Sequence, residues 1–131
     1  VNIVINGEFK LGNNHNSNLI INGERRVNIY LKNAATINGN VNKTGEPQQI
    51  LFLMADSGSL ILRTNVYFNA FVYAPNATFE TKGNANITGA IIAQEVILGG
   101  TPFAEGYEFH PDEDSIVISK PETYSKGTWL D

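Results

Sequence analysis

Short apolar runs that alternate with polar turn residues form the main pattern along the chain. Runs of strand length occur at 3–5, 19–21, 27–31, 50–54, 60–62, 66–68, 71–74, 91–92 and 96–98. Most of them end at Asn-Gly, Ser-Gly, Gly-Asn, Gly-Gly or Pro-Asn pairs, which favour turns. No segment of a dozen residues carries an apolar stripe of helical period free of Gly, Asn or Pro. The pattern therefore predicts an all-β fold.

The spacing of the runs narrows this prediction. Four similar runs begin at Asn28, Ile50, Phe71 and Ala90, and a second series begins at Thr36, Leu60, Thr78 and Val96. The starts of the first series are 22, 21 and 19 residues apart, a drifting period typical of β-solenoid rungs. A sandwich or jelly roll is the alternative, but it usually spaces its strands at about 8–12 residues without such a repeat. We predict one right-handed β-solenoid of roughly six short rungs, stacked about 4.8 Å apart.

Composition supports a chain that turns often. The sequence contains 17 Asn and 12 Gly, the two residue types that most readily adopt positive φ at corners. Asn-Gly recurs at 6–7, 22–23 and 38–39, and Gly83-Asn84 marks another expected corner. Asn side chains stacked on successive rungs can also pair in ladders. We expect the Asn/Gly excess to lie at the corners of the coil.

Charge and cysteine content exclude several function classes. A net charge of −4 with 9 Lys+Arg leaves no basic stripe for nucleic acid. No apolar run approaches the roughly 18 residues of a membrane span. With no Cys, there is no disulfide framework, zinc ribbon or thiol nucleophile. Because the chain starts at Val1 rather than Met, we expect one domain, 1–131, that is a C-terminal fragment of a longer protein.

One stretch, 71–100, resembles a known family. It contains Tyr-Ala-Pro-Asn-Ala at 73–77 and Gly-Ala-Ile-Ile-Ala at 89–93. These tracts resemble successive rungs of a short β-solenoid domain in bacterial pilin-like and pilus-assembly surface proteins, and Trp129 matches a Trp near the C-terminus of that domain. The resemblance covers 19–131. It implies that the longer protein is exported to an extracellular or cell-surface location, with partners among the subunits of a surface assembly or an upstream segment of the same protein.

Alternation along the strands predicts an apolar outer face. The residues predicted to point inward are Ile29, Leu31, Leu51, Leu53, Val72, Ala74, Ile91 and Ala93. The residues then predicted to form an interface on the outer face are Tyr30, Phe52, Phe71, Tyr73 and Ile92. An apolar patch that spans several rungs usually marks a binding surface, here for an N-terminal helix, a neighbouring subunit or polysaccharide. The alternative is the inverted register, in which Tyr30, Phe52 and Tyr73 fill the core.

The C-terminal part, 105–131, is predicted to be an acidic turn followed by a capping segment. Calcium is one possible ligand of this turn, with Glu108, Asp112 and Asp114 as candidate oxygen donors. The segment lacks the spacing of an EF-hand loop, so a solvated turn that closes the last rung is the preferred interpretation. Trp129 is expected to anchor the segment or cover an open end of the coil.

Catalytic patterns are not evident in the sequence. The ionisable residues on predicted strands are Arg63, Glu80, Lys82 and Glu95. They do not form a repeated column or a recognisable nucleophile motif. We therefore expect no enzyme, no catalytic residues and no cofactor. The leading prediction is a non-enzymatic structural or adhesive module. A carbohydrate-binding domain that uses the aromatic face is the alternative, and a polysaccharide-active β-helix enzyme is a third.

Overall fold

The computed structural model describes residues 1–14, 16–63, 65–100 and 103–106. Within these ranges the strands are β1 (Asn2–Ile5), β2 (Phe9–Leu11), β3 (Asn18–Leu19), β4 (Val27–Leu31), β5 (Ala35–Ile37), β6 (Asn40–Val41), β7 (Ile50–Leu53), β8 (Ser59–Leu62), β9 (Tyr67–Thr81), β10 (Asn86–Leu98) and β11 (Phe103–Gly106). One turn of 3-10 helix, Pro47–Gln49, precedes β7, and none of the described segments is α-helical. The predicted all-β class is confirmed.

The strands form one sheet in which every pairing is parallel. A first row of pairs runs from β1 through β4 and β7 to the middle of β9 and β10. A second row joins β2, β5, β8 and the ends of β9 and β10. A third joins β3, β6, the starts of β9 and β10, and β11. The sheet is nearly closed and barrel-like around one apolar core.

The register of β7 differs from the sequence prediction. Leu51, rather than Ile50, pairs with Asn28 on one side and with Phe71 on the other. Side chains alternate between the two faces of a strand, so this shift of one residue exchanges the inward and outward sets. Phe52 therefore faces the core, and the predicted inward orientation of Leu51 and Leu53 is wrong. The remaining inward residues are buried as predicted, apart from Ala93, which is partly buried against the core.

A stack of phenylalanine rings fills the centre of the core. Phe52 lies 5.6 Å from Phe68 between ring centroids, with the ring planes only 19° apart. Phe9 and Phe79 extend the stack at 6.2 Å from Phe52 and 5.9 Å from Phe68, respectively. These spacings fall within the range in which aromatic pairs attract beyond simple area burial. The stack ties the three rows of strands together, because each row contributes at least one ring.

Asparagine side chains pair across adjacent strands in two places, but each pair lies on strands and does not continue as the ladder expected at the corners. Asn28 Nδ2 donates to Asn2 Oδ1 at 2.9 Å, between β4 and β1. Asn40 Nδ2 donates to Asn18 Oδ1 at 2.9 Å, and Asn40 Oδ1 accepts the backbone N–H of Tyr67 at 2.9 Å. Each bond links adjacent parallel strands. The Asn-Gly and Gly-Asn pairs lie between strands as expected. Gly23 adopts φ +76°, a left-handed conformation that glycine tolerates without strain.

Candidate functional site

An exposed apolar column crosses the outer face of the first row of strands. Register places Val4, Tyr30, Leu53, Tyr73 and Ile92 side by side on β1, β4, β7, β9 and β10. We call these five residues the outward column. Val4 is 58% exposed, Tyr73 47%, and Tyr30 and Ile92 39% each, while Leu53 is partly buried. Five neighbouring strands thus present apolar side chains to the outside at one level.

The outward orientation predicted for Tyr30, Tyr73 and Ile92 is confirmed, and for these tyrosines the inverted register is wrong. Phe52 corrects the prediction, because it is 1% exposed and belongs to the ring stack. Leu53 takes its place in the column. The run 50–53 is Ile-Leu-Phe-Leu, so every position is apolar and alternation could not reveal which residues face outward.

Phe71 shares the outer face with the column but is completely buried. It forms a small second cluster with Leu51 and Ala90, separate from the main core. The Pro47–Gln49 turn packs against β9 and β10. Asn69, two residues before Phe71, donates its side-chain amide to the carbonyls of residues 42 and 43 at 3.1 Å each. The segment 42–49 therefore lies over this part of the outer face, so the predicted exposure of Phe71 is wrong.

A groove of about 320 Å³ opens at the middle of the outward column. Tyr30 and Tyr73 stand on opposite sides of Leu53 in the strand order, and all three line the groove. Strand side chains project roughly perpendicular to the sheet, so the two rings form walls and Leu53 forms the floor. The spacing of these walls is fixed by backbone pairing between β4, β7 and β9.

Polar side chains line one edge of the groove. Lys32 and Asp56 follow the carboxyl ends of β4 and β7, and Asn76 lies within β9, three residues after Tyr73. Parallel pairing of β4, β7 and β9 brings the three residues to the same edge. Asn76 Nδ2 donates to the carbonyl of Ala55 at 2.8 Å, which anchors the Asn76 side chain beside the groove. Lys32 and Asp56 are exposed and opposite in charge. The groove thus combines an apolar floor and walls with a polar edge of no net charge, a combination typical of small-molecule sites.

Sequence reasoning missed Leu53, Lys32, Asp56 and Asn76 as parts of this site. Leu53 was missed because the predicted register of β7 placed it in the core. Lys32 and Asp56 lie in separate connections and Asn76 lies within β9, so only the order of strand pairing brings the three polar residues together. The sequence did contain one signal for them. Each polar residue follows the outward-facing apolar residue of its run, Tyr30, Leu53 or Tyr73, by two or three positions.

The remaining candidate residues lie elsewhere. Glu80, on β9, and Lys82, just after its end, form an ion pair of 3.9 Å. Glu95 lies on β10 in the second row, and Arg63 directly follows β8 of the same row. Within the described part of the chain, no group of three His, Asp or Glu side chains is arranged to hold a metal ion. The candidate calcium ligands Glu108, Asp112 and Asp114, the proposed cap Trp129 and the segment 107–131 lie outside the described residues.

No helix among the described residues has the length and apolar character needed to cross a membrane.

The chain was compared with curated proteins, solved structures and protein-family models. No curated protein and no solved structure shows significant similarity to the chain. A family model described as a domain of unknown function, DUF7305, matches residues 1–115 and so includes every strand described above. The chain therefore belongs to the DUF7305 family, a domain of unknown function.

Proposed function

We propose that the protein is a non-enzymatic structural or adhesive module of a bacterial cell-surface or pilus-like protein, and that the outward column is its contact surface. The observation that carries this proposal is the continuous row of apolar side chains on five paired strands, of which four are exposed and Leu53 is partly buried. At about 4.8 Å per strand the row extends for about 19 Å. Isolated exposed apolar residues are ordinary, whereas contiguous patches commonly mark interaction sites.

The finer architecture that we propose is a three-faced β-solenoid. The three rows of parallel pairs support it, because successive turns of chain add one strand to each row. A right-handed coil follows from the strong preference for right-handed crossovers between parallel strands. Such a coil is rigid, and it holds the side chains of one face at fixed intervals. This rigidity suits a module that transmits force or presents a surface.

The proposed surface location rests on the resemblance of 71–100 to rungs of pilin-like surface proteins. Subunits of a surface assembly, an upstream segment of the same protein or polysaccharide are the partners that this location offers.

An adhesion assay tests the proposal. Microspheres coated with the biotinylated domain are passed over bacterial cells that produce the protein, and the microspheres retained under flow are counted. We expect retention well above that of microspheres coated with an unrelated protein of similar charge. The double variant Tyr30→Ala/Tyr73→Ala should lose at least tenfold of this retention.

Tyr67→Ala is the matched control. Tyr67 is 41% exposed, similar to Tyr30 and Tyr73, but it lies at the start of β9 in the third row, with Lys43 Nζ 4.4 Å from its ring centroid. The control variant should be retained like the wild type. Far-UV circular dichroism and urea unfolding establish that all variants fold. Retention of the wild type no better than the unrelated protein would refute adhesion, and equal retention of the double variant would refute the outward column as its surface.

A further inference from the structure

We propose that the groove between Tyr30 and Tyr73 binds an uncharged oligosaccharide, with one sugar ring lying over Leu53. This inference rests on the proposed function, since it names the ligand class of the same contact surface.

The distance between the two tyrosine walls leaves room for a single sugar ring. Tyr30 and Tyr73 are separated by two strand spacings, about 9.5 Å. A ring midway between them lies within reach of both walls, since non-bonded carbon atoms attract best at about 3.5–4.0 Å and a puckered sugar has its own thickness. Tyrosine suits such a ligand because it combines an apolar face with a polar hydroxyl. Both tyrosines lie on paired strands, so the backbone that carries them is already ordered before binding.

The polar edge matches sugar hydroxyls. A hydroxyl both donates and accepts hydrogen bonds, and the edge offers both kinds of partner. Lys32 donates, Asp56 accepts, and Asn76, whose Nδ2 is engaged with the Ala55 carbonyl, can accept through Oδ1. Because the charges of Lys32 and Asp56 cancel, the groove attracts neither anions nor cations as a class. An uncharged, hydroxyl-rich ligand fits this edge best.

Other occupants fit less well. An extended peptide usually binds by adding a strand to a free sheet edge. The groove instead lies on the face of the sheet, where the backbones of β4, β7 and β9 already pair with one another. Phosphate-bearing ligands, including lipid headgroups, call for clustered Arg or Lys. Among the charged residues that line the groove, Lys32 is balanced by Asp56.

A glycan screen followed by NMR tests the inference. The biotinylated domain is first applied to an array of neutral and acidic oligosaccharides that includes bacterial surface polysaccharides. A neutral ligand from the array is then titrated into 15N-labelled protein. We expect chemical-shift changes that centre on Leu53, Asp56 and the two tyrosines.

Variants distinguish the loss of a tyrosine ring that contacts the sugar from a general loss of folding. Tyr30→Ala and Tyr73→Ala should each weaken binding at least tenfold, because each removes one wall. Tyr73→Phe should bind within about threefold of the wild type, since the ring is retained. The control Tyr67→Ala should bind normally. Binding of acidic glycans alone, binding unaffected by loss of either wall, or no binding to any glycan on the array would each overturn the inference.

Combining this screen with the adhesion assay distinguishes the two proposals. Periodate destroys sugars that carry vicinal diols, so treatment of the cells should abolish microsphere retention if the ligand is a glycan. Retention that survives periodate, together with no glycan binding, would overturn the glycan inference and leave adhesion to a protein partner intact. Glycan binding without microsphere retention would support the inference and refute the adhesive function.

Discussion

Replacing Phe52 with alanine removes a central ring from the stack inside the sheet. Phe52 is 1% exposed and contacts Phe9 and Phe68 at centroid distances of 6.2 and 5.6 Å. Truncation of a buried phenylalanine costs about 3–5 kcal/mol, which includes the lost transfer free energy and the cavity left behind. Each lost ring pair contributes about 0.5–1.5 kcal/mol of this cost. We expect the free energy of unfolding to fall by about 4 kcal/mol.

This loss is large compared with the total stability of a typical domain, about 5–15 kcal/mol. Equilibrium urea unfolding followed by far-UV circular dichroism measures it, with the midpoint falling and the slope unchanged. The matched control is Leu53→Ala on the same strand. Leu53 is only partly buried on the opposite face, so we expect a loss of about 1 kcal/mol for this variant.

The comparison discriminates between the two registers of β7. In the register expected from the sequence, Phe52 faces outward and Leu53 fills the core, so the order of the two losses would be reversed. If Phe52→Ala costs no more than Leu53→Ala, the assignment of Phe52 to the core is refuted. The place of Leu53 between the tyrosines of the groove would then be refuted as well.

Two further substitutions test the close backbone approach at Gly89 and the hydrogen bonds of Asn40. Gly89→Ala should destabilise the fold by more than about 3 kcal/mol, since φ is +146° and the added Cβ would meet the carbonyl oxygen of Ala70 on β9. In the control variant Gly58→Ala the added Cβ makes only an ordinary contact, so the free energy of unfolding should stay within about 0.5 kcal/mol of the wild type. Equal losses of stability for the two variants would contradict the pairing of Gly89 on β10 with Ala70 on β9. Asn40→Ala should cost about 1–3 kcal/mol in urea unfolding, because the N–H of Tyr67 loses its acceptor. Hydrogen exchange of the Tyr67 amide should accelerate, and an unchanged rate would be evidence against this hydrogen bond.

Much of the fold could be predicted because its signals are local and repeated. The run 27–31 alternates between inward Val27, Ile29 and Leu31 and outward polar or aromatic residues, so its orientation is legible in the sequence. The period near 20 predicted which runs lie side by side, and the Asn-Gly pairs marked the corners. These features depend on residues close together in the chain.

The errors arose where non-local packing decides the outcome. In the uniformly apolar run 50–53, contacts of Phe52 with rings from other strands determine the register. The burial of Phe71 depends on the segment 42–49, which crosses the outer face some 20 residues earlier in the chain. The polar edge of the groove likewise exists only after β4, β7 and β9 pair. Alternation along a single strand carries no information on such contacts.

The outward column as the contact surface is the central claim, and hydroxyl-radical footprinting of the tyrosines tests it most directly. The protein is oxidised free in solution and while attached to the producing cells, and the modification of Tyr30, Tyr67 and Tyr73 is quantified by mass spectrometry. We predict that oxidation of Tyr30 and Tyr73 falls several-fold on attachment, whereas Tyr67 is modified equally in both states. Undiminished oxidation of Tyr30 and Tyr73 in the attached protein would contradict the claim.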